Sequence, residues 1–105
     1  MPVTTIAGQE VHVDDEGFLT EYDEWSKELA ATLASNIGID ALTDDHWAVI
    51  DFLRDDFKEQ GETATLRRVA TVGGIPTKSL FQLFPKKPAR KMSYVSGLPK
   101  PAGCI

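Results

Sequence analysis

Residues 43–61 read TDDHWAVIDFLRDDFKEQG and carry the clearest helical pattern in the chain. Thr43 is a typical N-cap, the two aspartates after it favour the positive end of a helix dipole, and Gly61 is a typical helix end. Between these signals, apolar side chains recur at helical spacing. They are Trp47, Ile50, Phe52, Leu53 and Phe57. The pattern predicts a long amphipathic helix that forms the centre of the core.

Shorter elements are predicted before this helix. Two β-prone runs, Thr4–Ala7 and Glu10–Val13, flank Gly8-Gln9 and predict a small hairpin. A helix follows, for which Asp23 is expected to be the N-cap and which runs to about Ser35. The first third of the chain therefore combines a hairpin with one helix.

After the central helix, the sequence predicts two short helices, Ala64–Val72 and Pro76–Leu83, separated by Gly73-Gly74 in a helix-turn-helix-like arrangement. The apolar side chains expected to face the core are Leu66, Val69, Ala70, Leu80, Phe81 and Phe84, which leaves Arg67, Arg68 and Lys78 outside. A further turn or two of helix is expected within Ala89–Val95. The fold class is therefore mainly α, a small helical bundle with an N-terminal β-hairpin and a helix-turn-helix-like element.

Charge is distributed unevenly along the chain. All 16 acidic residues lie at or before Glu62, and most of the 11 basic residues lie after it. The net charge of −5 therefore conceals an acidic first part and a basic last part. We expect the basic side chains to bind an acidic partner. The candidates are Arg67, Arg68, Lys86, Lys87, Arg90, Lys91 and Lys100.

The composition excludes several classes of protein. The length of 105 residues, with 42% hydrophobic and 26% charged, is typical of one small globular domain. No apolar stretch approaches the roughly 18 residues of a membrane span, and the first residues lack a signal-peptide pattern, so we expect a cytoplasmic protein. His12 and His46 lie in different elements, so no metal site is predicted, and most aspartates of residues 43–61 are expected on a solvated helix face.

The only cysteine, Cys104, is the penultimate residue and follows a run rich in proline and glycine. Such a run does not form a core segment, so the thiol is expected to be accessible. We divide the chain into a helical domain of residues 1–92 and a flexible arm of residues 93–105, with Gly97 as a bending point at its root. At roughly 3.3 Å per extended residue, the arm from Ser93 would carry the thiol about 35 Å. A disordered tail with an incidental cysteine is the alternative.

The end of the chain also resembles a known family. Residues 97–105 read GLPKPAGCI and residues 83–91 read LFPKKPARK. Earlier landmarks in the same order are Asp15-Glu16-Gly17-Phe18-Leu19, Trp25, Asp45-His46-Trp47 and Phe52-Leu53-Arg54. Together they resemble the DsrC/TusE family, also called the sulfite reductase gamma-subunit family. The resemblance implies a helical domain with a mobile C-terminal arm whose penultimate cysteine, Cys104 here, carries sulfur.

The resemblance also implies how the sulfur is handled. Members of the DsrC type have a second arm cysteine where this chain has Ser93, so the chain resembles the single-cysteine, TusE-like branch. In that branch one cysteine accepts a persulfide and passes its outer sulfur onward, without a cofactor. The implied donors are TusBCD-like or rhodanese-like proteins, and the implied acceptors are a tRNA 2-thiouridylase or a sulfur-oxidation enzyme. The chain would be a sulfurtransferase component rather than a self-sufficient catalyst.

Two other functions stay open at this point. The helix-turn-helix-like element, with its basic exterior, is compatible with a DNA-binding regulator of sulfur metabolism. The net charge of −5 disfavours it, and so does the second short helix, whose only cation is Lys78. A non-reactive subunit of a larger complex is the third hypothesis, and it predicts that Cys104 stays a thiol.

Overall fold

The computed structural model of the chain describes residues 3–6 and 8–100. Within these residues the chain forms a hairpin, a 3-10 turn and five α-helices around two neighbouring hydrophobic clusters. The elements are β1 (Val3–Ile6), β2 (Gln9–His12), the 3-10 turn (Tyr22–Glu24), α1 (Lys27–Asn36), α2 (Asp44–Gln60), α3 (Leu66–Thr71), α4 (Thr77–Leu83) and α5 (Pro88–Val95). The mainly helical fold class with an N-terminal hairpin is confirmed. None of the helices in the described residues is long and apolar enough to cross a membrane.

The hairpin is set by a glycine turn and by one buried face. β1 and β2 pair antiparallel, and Gly8 between them has a φ of 76°, a conformation that glycine adopts without strain. Val11 of β2 is fully buried and lies in one cluster with Leu29 and Leu33 of α1. The predicted hairpin is therefore confirmed. Residue 7, the end of its first predicted strand, lies outside the described residues.

α2 begins and ends where the sequence predicts. The Thr43 hydroxyl accepts from the backbone N–H of His46, and the His46 side chain accepts in turn from the backbone N–H of Thr43. Gly61 ends the helix with a φ of 75°, and its N–H donates to the Phe57 carbonyl at 2.8 Å. These signals are local in sequence, which is why they could be recognised without the fold.

α1 begins later than predicted. Its N-cap is Ser26, whose hydroxyl accepts from the N–H of Leu29 at 3.1 Å, and not Asp23, which lies in the 3-10 turn. Trp25 separates the turn from the helix in an extended conformation. Its indole N–H donates to the Val95 carbonyl, 70 residues away in the chain, at 2.9 Å. Trp25 therefore lies extended between the 3-10 turn and α1, in contact with a residue distant in sequence that local propensity does not take into account.

α3 and α4 form the predicted helix-turn-helix-like pair. Val69 and Leu80 are fully buried between the pair and the rest of the core. Pro76 is the N-cap of α4 and does not occupy its first turn, which corrects the predicted start by one residue. Phe81 is 50% exposed, so the prediction that it faces the core is wrong. Leu80 of α4 and Phe84, the C-cap after it, are fully buried, and Phe81 lies about 100° around the helix from Leu80.

The part of the chain that packs into the body extends further towards the C-terminus than expected. Ser93, Val95, Ser96 and Leu98 are all fully buried, and Val95 is the last residue of α5. The Ser93 hydroxyl donates to the Ala89 carbonyl at 2.7 Å, as a serine inside a helix commonly does. The body therefore extends at least to Leu98, which corrects the boundary drawn before residue 93. The mobility of the remaining arm stays a prediction, and residues 101–105 lie outside the described residues.

Candidate functional site

Cys104, the predicted sulfur-carrying residue, lies outside the described residues. The described chain leads to it through residues 95–100, which we call the exit segment. Three side chains from other parts of the fold donate to carbonyls of this segment. The indole of Trp25 donates to Val95 at 2.9 Å, the guanidinium of Arg54 to Ser96 at 2.8 Å, and the hydroxyl of Thr63 to Pro99 at 2.8 Å. The exit segment is thus held along most of its length.

Arg54 is oriented by two aromatic rings. Its guanidinium carbon lies 3.9 Å from the centre of the Tyr22 ring and 4.1 Å from that of Trp25. A second guanidinium nitrogen donates to the Tyr22 carbonyl at 3.0 Å. Partial burial lowers the pKa of Arg54, but an arginine stays protonated in proteins, so it binds the Ser96 carbonyl as a cation.

Gly97 makes the turn that follows α5. Its φ is 69°, in the left-handed region, and a Cβ there would overlap the indole of Trp25. Both observations require glycine at this position. Because Gly97 is buried against Trp25, it forms a fixed turn of the body and does not act as the bending point that the sequence suggested.

The last described residue, Lys100, is held by a carboxylate. Its ammonium nitrogen lies 3.0 Å from one oxygen of Glu16, and Arg90 of α5 lies 3.0 Å from the other. Hydrogen bonds from Arg90 and then from Lys100 lower the pKa of Glu16 below its ordinary value. Two of the predicted partner-binding cations are thus brought together by an acidic residue that the sequence did not single out.

A cleft opens beside this ion pair. It has a volume of about 320 Å³, and Glu16, which contacts Lys100, is part of its wall. The Phe18 and Tyr94 rings meet edge to face in it, with their centres 6.1 Å apart. The lining residues are Glu16, Gly17, Phe18, Ile37, Arg90, Lys91 and Tyr94. The place where the described chain ends is therefore next to a partly aromatic, partly basic hollow.

The other predicted partner-binding residues lie apart from the exit segment. Arg68 forms two hydrogen bonds, at 2.9 and 2.6 Å, with Asp56, whose side chain is buried. The hydrogen bonds that Arg68 donates to the Asp56 carboxylate raise the pKa of Arg68. Asp56 is therefore an exception to the solvated face predicted for most of the α2 aspartates. The Lys91 ammonium donates to the Pro85 carbonyl at 2.6 Å.

Three of the predicted cations are fully available. Arg67, Lys86 and Lys87 are exposed, and none of their side chains forms an ion pair with another described residue. Lys86 and Lys87 have φ values of 59° and 53°, which are unusual for residues other than glycine. Their backbone conformation turns the chain between α4 and α5, so two adjacent charges are displayed on this loop.

The residues that hold the exit segment are not among those predicted from the sequence. Trp25, Arg54 and Glu16 all lie in motifs that carry the family resemblance, so the signal was present without an assigned role. Thr63 gave no signal, because a threonine in a loop is ordinary and its partner is 36 residues away.

Comparison with known proteins decides the family. A family model described as DsrC like protein matches residues 5–105. The chain belongs to the DsrC family. The family resemblance inferred from the sequence is thus confirmed.

Relatives within the DsrC family cover the whole fold. The gamma subunit of dissimilatory-type sulfite reductase from Nitratidesulfovibrio vulgaris is 34% identical over 105 residues, with all of both chains covered. The sulfurtransferase TusE from Escherichia coli O6:H1 is 37% identical, covering 93% of this chain and 95% of the relative. The crystal structure of dissimilatory sulfite reductase I, DsrI, is 36% identical, with a TM-score of 0.85 over 99% of this chain and 100% of that one.

These DsrC-family relatives indicate a sulfur-relay function that involves partner proteins. One is named as a sulfurtransferase and the other as a subunit of a sulfite reductase. The comparisons give no support to a DNA-binding regulator.

Proposed function

We propose that the chain is a sulfur carrier in which Cys104 accepts sulfane sulfur and passes it to a partner. The observation that carries the proposal is that the DsrC family model matches residues 5–105, a range that includes Cys104, the only cysteine of the sequence. A cysteine thiolate is the nucleophile that such sulfur exchange needs.

The chemistry is two thiol exchanges. The Cys104 thiolate attacks the outer sulfur of a donor persulfide, a new S–S bond forms at Cys104, and the donor's S–S bond breaks with release of its thiolate. An acceptor thiolate then attacks the outer sulfur of the Cys104 persulfide, and Cys104 leaves as a thiolate. One sulfur atom moves in each step, its proton is exchanged with solvent, and no external oxidant or reductant is needed.

The single cysteine defines the mode of transfer. With no other cysteine in the 105 residues, the chain cannot form an internal disulfide, and the position of the second arm cysteine is taken by Ser93. The Ser93 hydroxyl is buried and bound to the Ala89 carbonyl, where it serves the structure of α5. These facts support a TusE-like carrier that holds sulfur as a persulfide.

Partners are proposed from the same resemblance. The donor would be a TusBCD-like or rhodanese-like protein, and the acceptor a tRNA 2-thiouridylase or a sulfur-oxidation enzyme. We propose docking through the exposed cations Arg67, Lys86 and Lys87, which would attract an acidic surface. Arg68, Arg90, Lys91 and Lys100 belong to the same proposal, although each already has a partner within the chain. A reducing compartment such as the cytoplasm would keep Cys104 reactive.

The proposal is tested by following labelled sulfur through both steps. The chain is incubated with cysteine persulfide carrying isotopic sulfur, freed of the donor, and then mixed with an acceptor thiol. We expect label on the wild-type chain, its loss to the acceptor, and no label on Cys104→Ser. Label that stays on the chain would contradict a carrier role, and a Cys104 that never acquires label would favour a non-reactive subunit.

A further inference from the structure

Two consecutive residues of the exit segment are held by side chains from two other parts of the sequence. Pro99 accepts from Thr63, in the loop between α2 and α3, and Lys100 pairs with Glu16, in the turn after the hairpin. We propose that Thr63 and Glu16 are positioning residues that fix the point from which Cys104 reaches its partners. This inference rests on the proposed carrier function and adds residues to which no role was assigned.

Thr63 is well suited to hold the main chain. It is only 6% exposed, and its hydroxyl donates to the Pro99 carbonyl at 2.8 Å. The loop that carries it is short and fixed at both ends, because Gly61 ends α2 and Thr65 caps α3. Because the Thr63 hydroxyl is buried and its loop is fixed, its hydrogen bond holds the Pro99 carbonyl in place.

Glu16 is itself fixed by the surrounding structure. The Asp14 carboxylate accepts from the backbone N–H groups of Glu16 and Phe18, which holds the turn. Arg90 of α5 binds the Glu16 carboxylate at 3.0 Å. Since α5 leads directly into the exit segment, Glu16 links Lys100 back to the helix from which the segment comes.

The residues before Pro99 are part of the body. Leu98 is fully buried, and its N–H donates to the Ser93 carbonyl at 3.1 Å. The tether from Lys100 to Cys104 is therefore four residues, which span at most about 14 Å, compared with about 35 Å from Ser93. If both holds were released, the tether would begin at Leu98 and contain six residues. The effective concentration of the thiol at a docked site would then fall about twofold, since it decreases roughly as the −3/2 power of tether length.

The sole cysteine provides a direct test, because a nitroxide attached to the chain goes only to Cys104. The label broadens the NMR signals of body amides that it approaches. The double variant Thr63→Val with Glu16→Gln releases both holds. The matched control is Thr71→Val with Glu10→Gln, since the Thr71 hydroxyl donates to the Arg67 carbonyl within α3 and Glu10 is exposed on β2.

We expect the wild type and the control to share one pattern of broadened amides, and the double variant to broaden amides farther from Pro99. Equal patterns in all three proteins would overturn the proposal. The single variant Thr63→Ser, in which Glu16 is unchanged, keeps the hydroxyl and should show the wild-type pattern of broadened amides. The single variant Glu16→Gln changes an exposed side chain, so it tests the Lys100 hold even where Thr63→Val fails to fold.

Sulfur loading separates this inference from the carrier proposal. With cysteine persulfide as donor, the double variant should load as fast as the wild type, because a small donor needs no positioning. With a rhodanese-like protein as donor, it should load about twofold more slowly at saturation. Equal loading rates from the protein donor would overturn the positioning role. Absence of loading from either donor would contradict the carrier proposal, while the broadening experiment would still decide whether Thr63 and Glu16 hold the chain.

Discussion

Trp25 and Gly97 are in direct contact, which leaves no room for a side chain at residue 97. The Trp25 indole donates to the Val95 carbonyl at 2.9 Å, and the same ring occupies the space that a side chain at residue 97 would need. The first turn of the exit segment is therefore specified by a bulky residue before α1 and a glycine after α5.

This contact predicts that Gly97→Ala is strongly destabilising. Overpacking against Trp25 costs about 1–3 kcal/mol, and a left-handed backbone costs a non-glycine residue about 1–2 kcal/mol more. Gly38→Ala is the matched control, because Gly38 has a φ of 87° but no atom within 4 Å of the added Cβ. We expect chemical denaturation to show a clearly larger loss for Gly97→Ala. Equal losses of unfolding free energy in the two variants would mean that crowding against Trp25 does not contribute to the effect of Gly97→Ala.

The pairing of Asp56 with Arg68 predicts that two aspartates of α2, Asp56 and Asp51, differ in their contribution to stability. Asp56→Ala removes the buried partner of Arg68 and leaves the guanidinium without its two hydrogen bonds. Hydrogen bonds to charged groups contribute about 1.5–3 kcal/mol, and we expect a loss at the lower end of that range because the Arg68 side chain, 34% exposed, is partly rehydrated. Asp51→Ala, on the same helix but exposed, should change the free energy of unfolding by less than about 0.5 kcal/mol. Urea titrations that give the same midpoint for both variants would contradict the structural role of the Asp56–Arg68 pair.

His46 links the start of α2 to the end of α4. Its Nδ1 accepts from the Thr43 N–H at 3.1 Å, so its Nε2 carries the proton and donates to the Leu83 carbonyl at 2.9 Å. His46→Ala removes both bonds and should cost about 2 kcal/mol. Thr43→Ala removes only a capping hydroxyl and should cost about 1 kcal/mol. Thermal unfolding tests the order, and a greater loss for Thr43→Ala would show that the bond to Leu83 contributes little.

The hold on Lys100 predicts a pH dependence. Because Arg90 and Lys100 lower the pKa of Glu16 in the folded state, their contribution is present above the ordinary glutamate pKa. It is lost as the pH falls through the lowered pKa, in the acidic range below 4.5. NMR titration of the Glu16 carboxyl should show this lowered pKa. In Lys100→Gln it should rise but stay below the ordinary value, because Arg90 remains; an unchanged pKa would argue that Lys100 does not bind Glu16 in solution.

Local signals allowed much of the fold to be predicted from the sequence. Thr43 and Gly61 mark α2 correctly because capping depends on residues within one turn, and Gly8 marks the hairpin for a similar reason. The start of α1 was misplaced because Trp25 is bound by Val95, far away in the chain. Phe81 was misassigned because apolar character alone does not say which stripe of a short helix is buried.

The candidate site was predictable in chemistry but not in geometry. The sole cysteine and the family resemblance indicated a sulfur carrier, and the comparisons support a sulfur-relay function. The boundary of the arm was placed too early because prolines and glycines near the end suggested mobility, whereas Leu98 is buried. Contacts such as Thr63 with Pro99 join residues distant in sequence, so composition and spacing could not reveal them.

The carrier proposal is tested most directly by intact-mass measurement before and after incubation with a persulfide donor. We expect the wild-type chain to gain the mass of one sulfur atom, reduction to remove it, and Cys104→Ser to gain nothing. Equal gain by Cys104→Ser, or no gain by the wild type, would contradict it.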